Sequence, residues 1–314
     1  MSSTFLFIMA GGQGKRFWPA STQQLPKQFL RLFSDKSLIR ETVQRFEGLI
    51  SPQDTFVITN RNYINLTIEH LPDIPKQNII GEPIGRNTAP CVALAAVIAH
   101  TLDPESTMVV VPADHYITDL GAFHSVLREA IRLSRGSDSL VTIGIVPTRP
   151  ETGYGYIEKG QPIEGYKGAY FVRRFVEKPD LEVALSYLEA GTFVWNSGMF
   201  VWQTSSIRRS LQVHQPELFN LMSRLDGLFG TPAFDRGLEE IYPKLESISI
   251  DYAVMEKAAN VAVVDGDFGW DDVGSWTALE RHREKDPNGN VVVGNNLVVD
   301  THNSIIYSDN TNIA

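Results

Sequence analysis

A short apolar run, Phe5 to Met9, leads directly into Ala10-Gly11-Gly12-Gln13-Gly14-Lys15-Arg16. This junction constrains the fold more than any other stretch. The apolar run reads as a buried strand. Glycines without Cβ let backbone N–H groups turn inward and approach a ligand closely. Successive inward N–H groups form an anion nest, and Lys15 and Arg16 add charge beside it. Lys27 is a further candidate cation. A strand feeding such a turn reads as a phosphate site, with a plain tight turn as the alternative. Two familiar phosphate loops are excluded. The P-loop needs Ser or Thr after its Lys, and here Arg16 follows Gly14-Lys15. The dinucleotide fingerprint needs a glycine where Phe17 stands.

Strands and helices alternate beyond the loop. Ser37 to Ile50 has near-helical apolar spacing, Thr55 to Thr59 is β-branched, Tyr63 to Leu71 is helical up to Pro72, and Asn78 to Gly81 is a third strand. Cys91 to Ile98 is an apolar helix, Met108 to Val111 a strand, Phe123 to Leu133 an amphipathic helix and Leu140 to Val146 a strand. Alternation of this kind predicts an α/β fold with parallel βαβ units and ligands at the C-terminal ends of the strands. The second half adds strands at Tyr170 to Val176 and Val261 to Val264. It also adds helices at Asp180 to Ala190, at Ile207 to Leu228 with a break near Pro216, from Ser249 to Glu256, and from Thr277 to Lys285. After the turn cluster Asp286-Pro287-Asn288-Gly289-Asn290, three short apolar runs, Val291 to Val293, Leu297 to Val299 and Ile305 to Tyr307, suggest a small β-helix-like appendage.

Several polar positions fall at strand ends. Glu82 precedes Arg86-Asn87-Thr88-Ala89-Pro90, where Asn87 or Thr88 can cap the following helix. A carboxylate at Glu82 suits the N–H edge of a purine. Asp114 stands just past the Met108 to Val111 strand, either as a site carboxylate or as a solvated turn residue; His115 reads as a neutral turn histidine. Thr152 to Glu158 is a glycine–aromatic stretch containing Gly155. Glu177 and Lys178 pair a hydroxyl acceptor with a phosphate-binding cation, or form a surface ion pair. Asn196 lies in a Trp-rich segment that reads as core, yet its amide both donates and accepts, as a hexose hydroxyl requires. Ser249 or Asp251 stands near a helix cap; for Asp251 a pocket role is the alternative to capping. Asp271 and Asp272 are neighbouring carboxylates in a glycine-rich turn; only one is expected to bind a cation, because successive residues point differently.

At 314 residues and 43% apolar content the chain can bury a large core, and its formal charge of −9 opposes a general nucleic-acid binder. The lone cysteine, Cys91, permits no intrachain disulfide and reads as packing; a reducing cytoplasm is the expected compartment. No apolar run is long enough to span a membrane, and no leader precedes Phe5.

Gly11-Gly12-Gln13-Gly14-Lys15-Arg16-Phe17-Trp18-Pro19 with Pro26-Lys27-Gln28-Phe29-Leu30 resembles the signature of the sugar nucleotidyltransferases, in the variant found in mannose-1-phosphate guanylyltransferases. Glu82 to Pro90, Phe175 to Pro179, Trp195 to Phe200 and Trp270 to Gly274 resemble further segments of that family. The resemblance implies a Rossmann-like, glycosyltransferase-A-like mixed sheet flanked by helices. It implies a catalytic domain over 1–285 and a β-helix-like segment over 286–314; that segment shows no evident capping element, which leaves truncation as an alternative reading. The implied reaction is GTP plus mannose 1-phosphate giving GDP-mannose and pyrophosphate, with Mg2+ held by Asp114 and Asp272. Arg16, Lys27, Asp114, Lys178 and Asp272 would be catalytic. Ala10, Gly11, Gly12, Gly14, Lys15, Arg16, Glu82, Asn87, Thr88, Ala89 and Asp114 would bind the nucleotide. Gly155, Glu177, Lys178 and Asn196 would bind the sugar. A cytoplasmic homodimer without nucleic-acid or membrane partners is expected. The alternatives are another hexose 1-phosphate as substrate, a non-catalytic nucleotide-sugar binder, and a nicotinamide-dependent oxidoreductase disfavoured by Phe17.

Overall fold

The computed structural model describes residues 2–12 and 14–308, with only the backbone of Lys15. The chain divides into two compact units: one comprises 1–11, 45–113 and 117–270, the other 12–44, 114–116 and 271–314.

The first unit holds a mixed sheet that is nine-stranded among the described residues. Its strands are β1 (Thr4–Ala10), β2 (Thr55–Asn60), β3 (Ile79–Glu82), β4 (Thr107–Pro112), β6 (Leu140–Ile145), β7 (Gly155–Pro162), β8 (Ala169–Glu177), β9 (Phe193–Gln203) and β10 (Val261–Gly266). The two-residue strands β5 (Tyr116–Ile117) and β11 (Trp270–Asp271) complete the sequence up to residue 271. The order is β3-β2-β1-β4-β9-β6-β10-β8-β7, with β7 also pairing to β9. The β3-β2-β1-β4 half is parallel throughout, as the strand–helix alternation predicts. Beyond it, β9 lies antiparallel between β4 and β6. This strand is the longest in the sheet, yet the sequence marks it only as a Trp-rich core segment. Both of its faces are mostly covered, so the two-residue alternation that marks a half-exposed strand is absent.

Helix α1 (Leu38–Gln44) belongs to the second unit and stops short of the expected span to Ile50. Helix α2 (Ile64–His70) follows β2. Helix α3 (Thr88–Leu102) is buried on all sides from Ala89 to Ala99. It packs with Phe5 and Phe7 of β1, Phe56 and Ile58 of β2, and residues of the later helices in one core. An apolar helix without a polar face has no stable solvent-exposed orientation, so it becomes the centre of that layer. Helix α4 (Leu120–Gly136) is amphipathic and buries Phe123, Leu127, Ala130 and Leu133. Its start is capped by Asp119, whose side chain accepts from the Ala122 N–H at 2.9 Å.

Helix α5 (Leu181–Ala190) begins and ends where the sequence predicts. Asp180 Oδ1 accepts from Val183 N at 2.9 Å, and Gly191 closes the helix at φ 64°. Pro216 splits the next helical stretch into α6 (Thr204–His214) and α7 (Pro216–Met222), and α8 (Pro232–Ile241) follows. Asp251–Met255 is a π-helical turn rather than the start of an α-helix.

The second unit has its own small core of Phe17, Leu30, Leu32, Leu38, Val273, Ala278, Leu279 and Val291. Helix α9 (Ala278–His282) is shorter than the expected 277–285. The strands β12 (Val291–Val293) and β13 (Ile305–Tyr307) pair in parallel. The intervening Leu297–Val299 run is not a strand: Leu297 and Val299 are 68% and 67% exposed, so no packing holds them in a ladder.

Candidate functional site

In the first unit, β1 and β3 end side by side across β2. Thr59 pairs with Ala10 and its hydroxyl donates to the Ala10 carbonyl at 3.1 Å, which pins the end of β1. Glu82 closes β3 opposite Asn60. Its side chain is buried and accepts a hydrogen bond from the Tyr242 hydroxyl. A Cβ at residue 11 would lie 2.8 Å from Glu82 Oε2, so only glycine lets the loop backbone approach that carboxylate. Burial pushes the Glu82 pKa up to about 7, with the Tyr242 hydrogen bond acting in the opposite sense.

Asn87 caps α3, its Oδ1 accepting from Thr88 N at 2.8 Å. Its φ of 66° is unusual for a residue with Cβ and marks a constrained turn. Thr88 Oγ1 accepts from Ile250 N at 2.8 Å, and Ala89 N donates to Ile248 O at 3.0 Å. The segment is therefore stitched to residues 248–250 of the same unit. Tyr242 had no signal in the sequence, because its contact with Glu82 spans 160 positions.

The sugar-binding candidates converge at another place in this unit. Gly155 opposes Glu177 in the β7–β8 register. A Cβ at residue 155 would lie 2.8 Å from Glu177 Oε2 and 3.6 Å from Asn196 Cβ. Lys178 Nζ is 2.7 Å from Glu177 Oε1, and its backbone N–H donates to Tyr154 O at 3.2 Å. Lys178 adopts φ 43°, which turns the chain sharply after β8. Asn196 donates from Nδ2 to Asp251 Oδ1 at 2.7 Å and accepts at Oδ1 from Gly198 N at 3.1 Å. Asp251 therefore joins this cluster instead of serving only as a cap. The nearby helical start uses Ser249, whose Oγ accepts from Tyr252 N at 3.3 Å.

The second unit gathers the remaining charged candidates around Lys27. Its buried ammonium is 2.9 Å from Asp114 Oδ2 and 2.6 Å from the Asp272 carbonyl oxygen. Gly14, at φ 58°, packs on Lys27 so closely that a Cβ would fall 2.2 Å from Lys27 Cβ. The loop is closed by Phe17 N donating to Gly14 O at 3.2 Å and Ser21 Oγ donating to the same oxygen at 2.6 Å. Gly12 is exposed. Lys15 belongs to the 3-10 turn Lys15–Phe17; its side chain, like Gln13, lies outside the described residues. Burial acts to raise the Asp114 pKa, but Lys27 and His115 outweigh it and hold the carboxyl below its ordinary value.

Arg16 and Asp272 meet around Gly274. A Cβ there would lie 3.0 and 3.1 Å from the Asp272 carboxylate oxygens and 3.4 Å from Arg16 Nη1. Asp271 turns away into the protein. It accepts from Arg281 at 2.7 and 2.9 Å and from Val273 N at 2.8 Å, with His282 Nε2 at 2.9 Å. These bonds anchor a strained turn, since Val273 is a β-branched residue at φ 52°. Asp114 and Asp272 present hard oxygen donors of the kind Mg2+ prefers. Among the described residues no group of three or more His, Cys, Asp or Glu could hold a metal. A separate cleft of about 710 Å³ beside β3, lined by Ile79, Ile80, Gly81, Phe234 and Leu238 among others, contains none of the candidate residues.

The chain belongs to the nucleotidyl transferase family, whose model matches residues 6–227. It is 42% identical over 98% of its length to a mannose-1-phosphate guanylyltransferase of Escherichia coli, and spans 66% of that protein. A crystal structure described as mannose-1-phosphate geranyltransferase from Thermus thermophilus matches at 38% identity and TM-score 0.88, covering 99% of this chain and 89% of that one. Another, described as mannose-6-phosphate isomerase from Helicobacter pylori, matches at 29% identity and TM-score 0.70, covering 86% and 99%. The two descriptions name different activities, so likeness of fold alone does not select a reaction. Among the described residues no helix is long and apolar enough to cross a membrane.

Proposed function

We propose that the chain transfers GMP from GTP to mannose 1-phosphate, giving GDP-mannose and pyrophosphate. The observation that carries the reading is Lys27, whose ammonium joins Asp114 at 2.9 Å and the Asp272 backbone at 2.6 Å. Three segments distant in sequence thereby meet at one cation, beside the glycine turn that reads as a phosphate site. The name of the Escherichia coli relative supports the choice of guanine nucleotide and mannose.

In this reading an oxygen of the sugar phosphate attacks the α-phosphorus of GTP in line. The new P–O bond forms as the bond to the bridging oxygen of the β-phosphate breaks, and pyrophosphate leaves. No protein nucleophile is needed, so the residues act by positioning and by neutralising charge. Lys27 stabilises charge near the α-phosphate. Arg16 and the backbone of Gly11, Gly12 and Gly14 hold the departing pyrophosphate, and Ala10 and Lys15 belong to the same nucleotide site. Lys178 orients the attacking phosphate, while Gly155, Glu177 and Asn196 receive the hexose. Glu82 accepts from the N–H edge of guanine, with Asn87, Thr88 and Ala89 shaping the base site. Asp114 and Asp272 fit a hard divalent cation and would hold Mg2+, which when bound supplies charge neutralisation to phosphate oxygens.

The same reading treats 1–285 as the catalytic domain and 286–314 as a β-helix-like segment, supported by the parallel β12–β13 pair. It takes the enzyme to be a cytoplasmic homodimer with no nucleic-acid or membrane partner, in keeping with the net charge of −9 and the single cysteine.

Pyrophosphate release tests the proposal. The purified chain is given GTP, mannose 1-phosphate and Mg2+, with ATP, UTP, glucose 1-phosphate and a chelator in parallel. Release that needs GTP, mannose 1-phosphate and metal is expected. Release with a different pair overturns the substrate assignment, and no release from any pair overturns the activity.

A further inference from the structure

The hexose cluster contains one carboxylate that the proposed reaction has not used. We infer that Asp251 is a specificity-determining residue of the sugar site, accepting a hydrogen bond from a hexose hydroxyl next to the groups served by Glu177 and Asn196. The inference rests on the sugar-site reading above and extends it by one residue.

Asp251 is half-buried and opens the π-helical turn Asp251–Met255. Such turns are rare and recur where a side chain must be presented at a functional site. The backbone around it is tied down on both sides. Ile250 N donates to Thr88 Oγ1 at 2.8 Å, Ala253 N to Ser249 O at 2.9 Å, and Glu256 N to Asp251 O at 2.9 Å. The carboxylate is therefore held in position before any ligand arrives, which limits the entropy lost on binding.

Its hydrogen bonding leaves capacity for a ligand. Asp251 Oδ1 accepts from Asn196 Nδ2 at 2.7 Å, and Asn196 Oδ1 accepts from Gly198 N at 3.1 Å. Among the described residues no other side chain donates to Asp251. Asn196 thus has one amide hydrogen to offer, and the Asp251 carboxylate, which also accepts from its own backbone N–H, keeps lone pairs on the oxygen that no side chain of the described residues donates to. A sugar hydroxyl both donates and accepts, so it can take the amide hydrogen and give its own to the carboxylate. Glu177 approaches the α-carbon of Gly155, and that α-carbon also faces Asn196. Two acceptor-only carboxylates and one amide donor near a glycine that clears space match adjacent hydroxyls better than a phosphate, which has no hydrogens to give. The phosphate is left to the Lys178 ammonium, which neighbours Glu177 at 2.7 Å. Burial raises the Asp251 pKa, the Asn196 bond lowers it, and nearby Glu177 adds to the rise. A neutral hydroxyl donor relieves that unfavourable setting.

The test is a comparison of wild type with Asp251→Asn, which keeps the side-chain shape and an acceptor for Asn196. KM is measured for mannose 1-phosphate, for each of its monodeoxy analogues and for GTP, together with the urea unfolding midpoint. KM for mannose 1-phosphate is expected to rise about tenfold or more, while KM for GTP stays within about twofold. One monodeoxy analogue, already weak with wild type, is expected to lose nothing further in the variant, because mutation and deoxygenation remove the same hydrogen bond. If every analogue is penalised equally by the substitution, or if KM for mannose 1-phosphate is unchanged, the inference is wrong. Should Asp251→Asn not stay folded, Asp251→Ala is read in the same way. Wild type that turns over no hexose 1-phosphate overturns both the proposed function and this inference. Wild type that turns over mannose 1-phosphate without the expected coupling overturns the inference alone.

Discussion

Replacing Glu82 by Gln measures what a buried carboxylate costs this fold. Glu82 is 3% exposed, and its side chain accepts from the Tyr242 hydroxyl alone among the described residues. Burial pushes its pKa up to about 7 from an ordinary 4.5. The unfolded chain loses this proton near the ordinary value, while the folded chain keeps it until about 7. Across that window the native state binds more protons, so stability falls as pH rises and the loss is complete above the folded pKa. The gap between 4.5 and about 7, at about 1.4 kcal/mol per pH unit, amounts to roughly 3 kcal/mol. Gln preserves the volume and an acceptor for Tyr242 but carries no charge. Urea unfolding of both proteins from about pH 4 to about pH 8 is the assay, and other titrating groups cancel in the difference. The variant is expected to match wild type at the acidic end and to exceed it by about 3 kcal/mol at the alkaline end. It should also bind GTP more weakly, since the Gln amide presents donors to a donor edge. Parallel stability curves would refute the reasoning, because Glu82 would then ionise as freely in the folded chain as in the unfolded one.

Three further outcomes are expected. Lys27→Met removes the ammonium held 2.9 Å from Asp114, and kcat for nucleotidyl transfer should fall by about a hundredfold or more, checked by steady-state kinetics. Gly155→Ala places a Cβ 2.8 Å from Glu177 Oε2, so KM for mannose 1-phosphate should rise by about tenfold with KM for GTP little changed, as initial-rate measurements would report. Asp271→Asn weakens the buried bonds to Arg281 and His282 and should cost about 3 kcal/mol near neutral pH in urea unfolding. Burial acts to raise the Asp271 pKa, but His282, Arg281 and the Val273 N–H hold it well below the usual range. Its stabilisation is therefore full above the ordinary carboxylate pKa and fades in acid, where the gap between variant and wild type should close.

Local order was legible in the residues themselves. The apolar run before Gly11, the featureless apolar face of α3, and the Asp180 and Gly191 ends of α5 are short-range signals, because burial pattern, capping and turn geometry act within a few residues. The resemblance of the glycine signature to a known family identified the candidate residues by type. It could not tell which of them touch. Lys27 reaches Asp272 across 245 positions, Tyr242 reaches Glu82 across 160, and Asn196 reaches Asp251 across 55. Such pairs carry no periodic signature, since nothing in the spacing of two residues records the strand order that brings them together. The antiparallel insertion of β9 was hidden for a related reason: covered on both faces, it lacks the alternation that would reveal a strand. Sequence alone thus determined the α/β class and the two ends of α5, and it marked the glycine turn as a candidate phosphate site. Tertiary structure decided the antiparallel place of β9 between β4 and β6, the burial that raises the Glu82 pKa, and the turning of Asp271 inward while Asp272 stays beside Arg16, because each depends on packing between segments far apart in the chain.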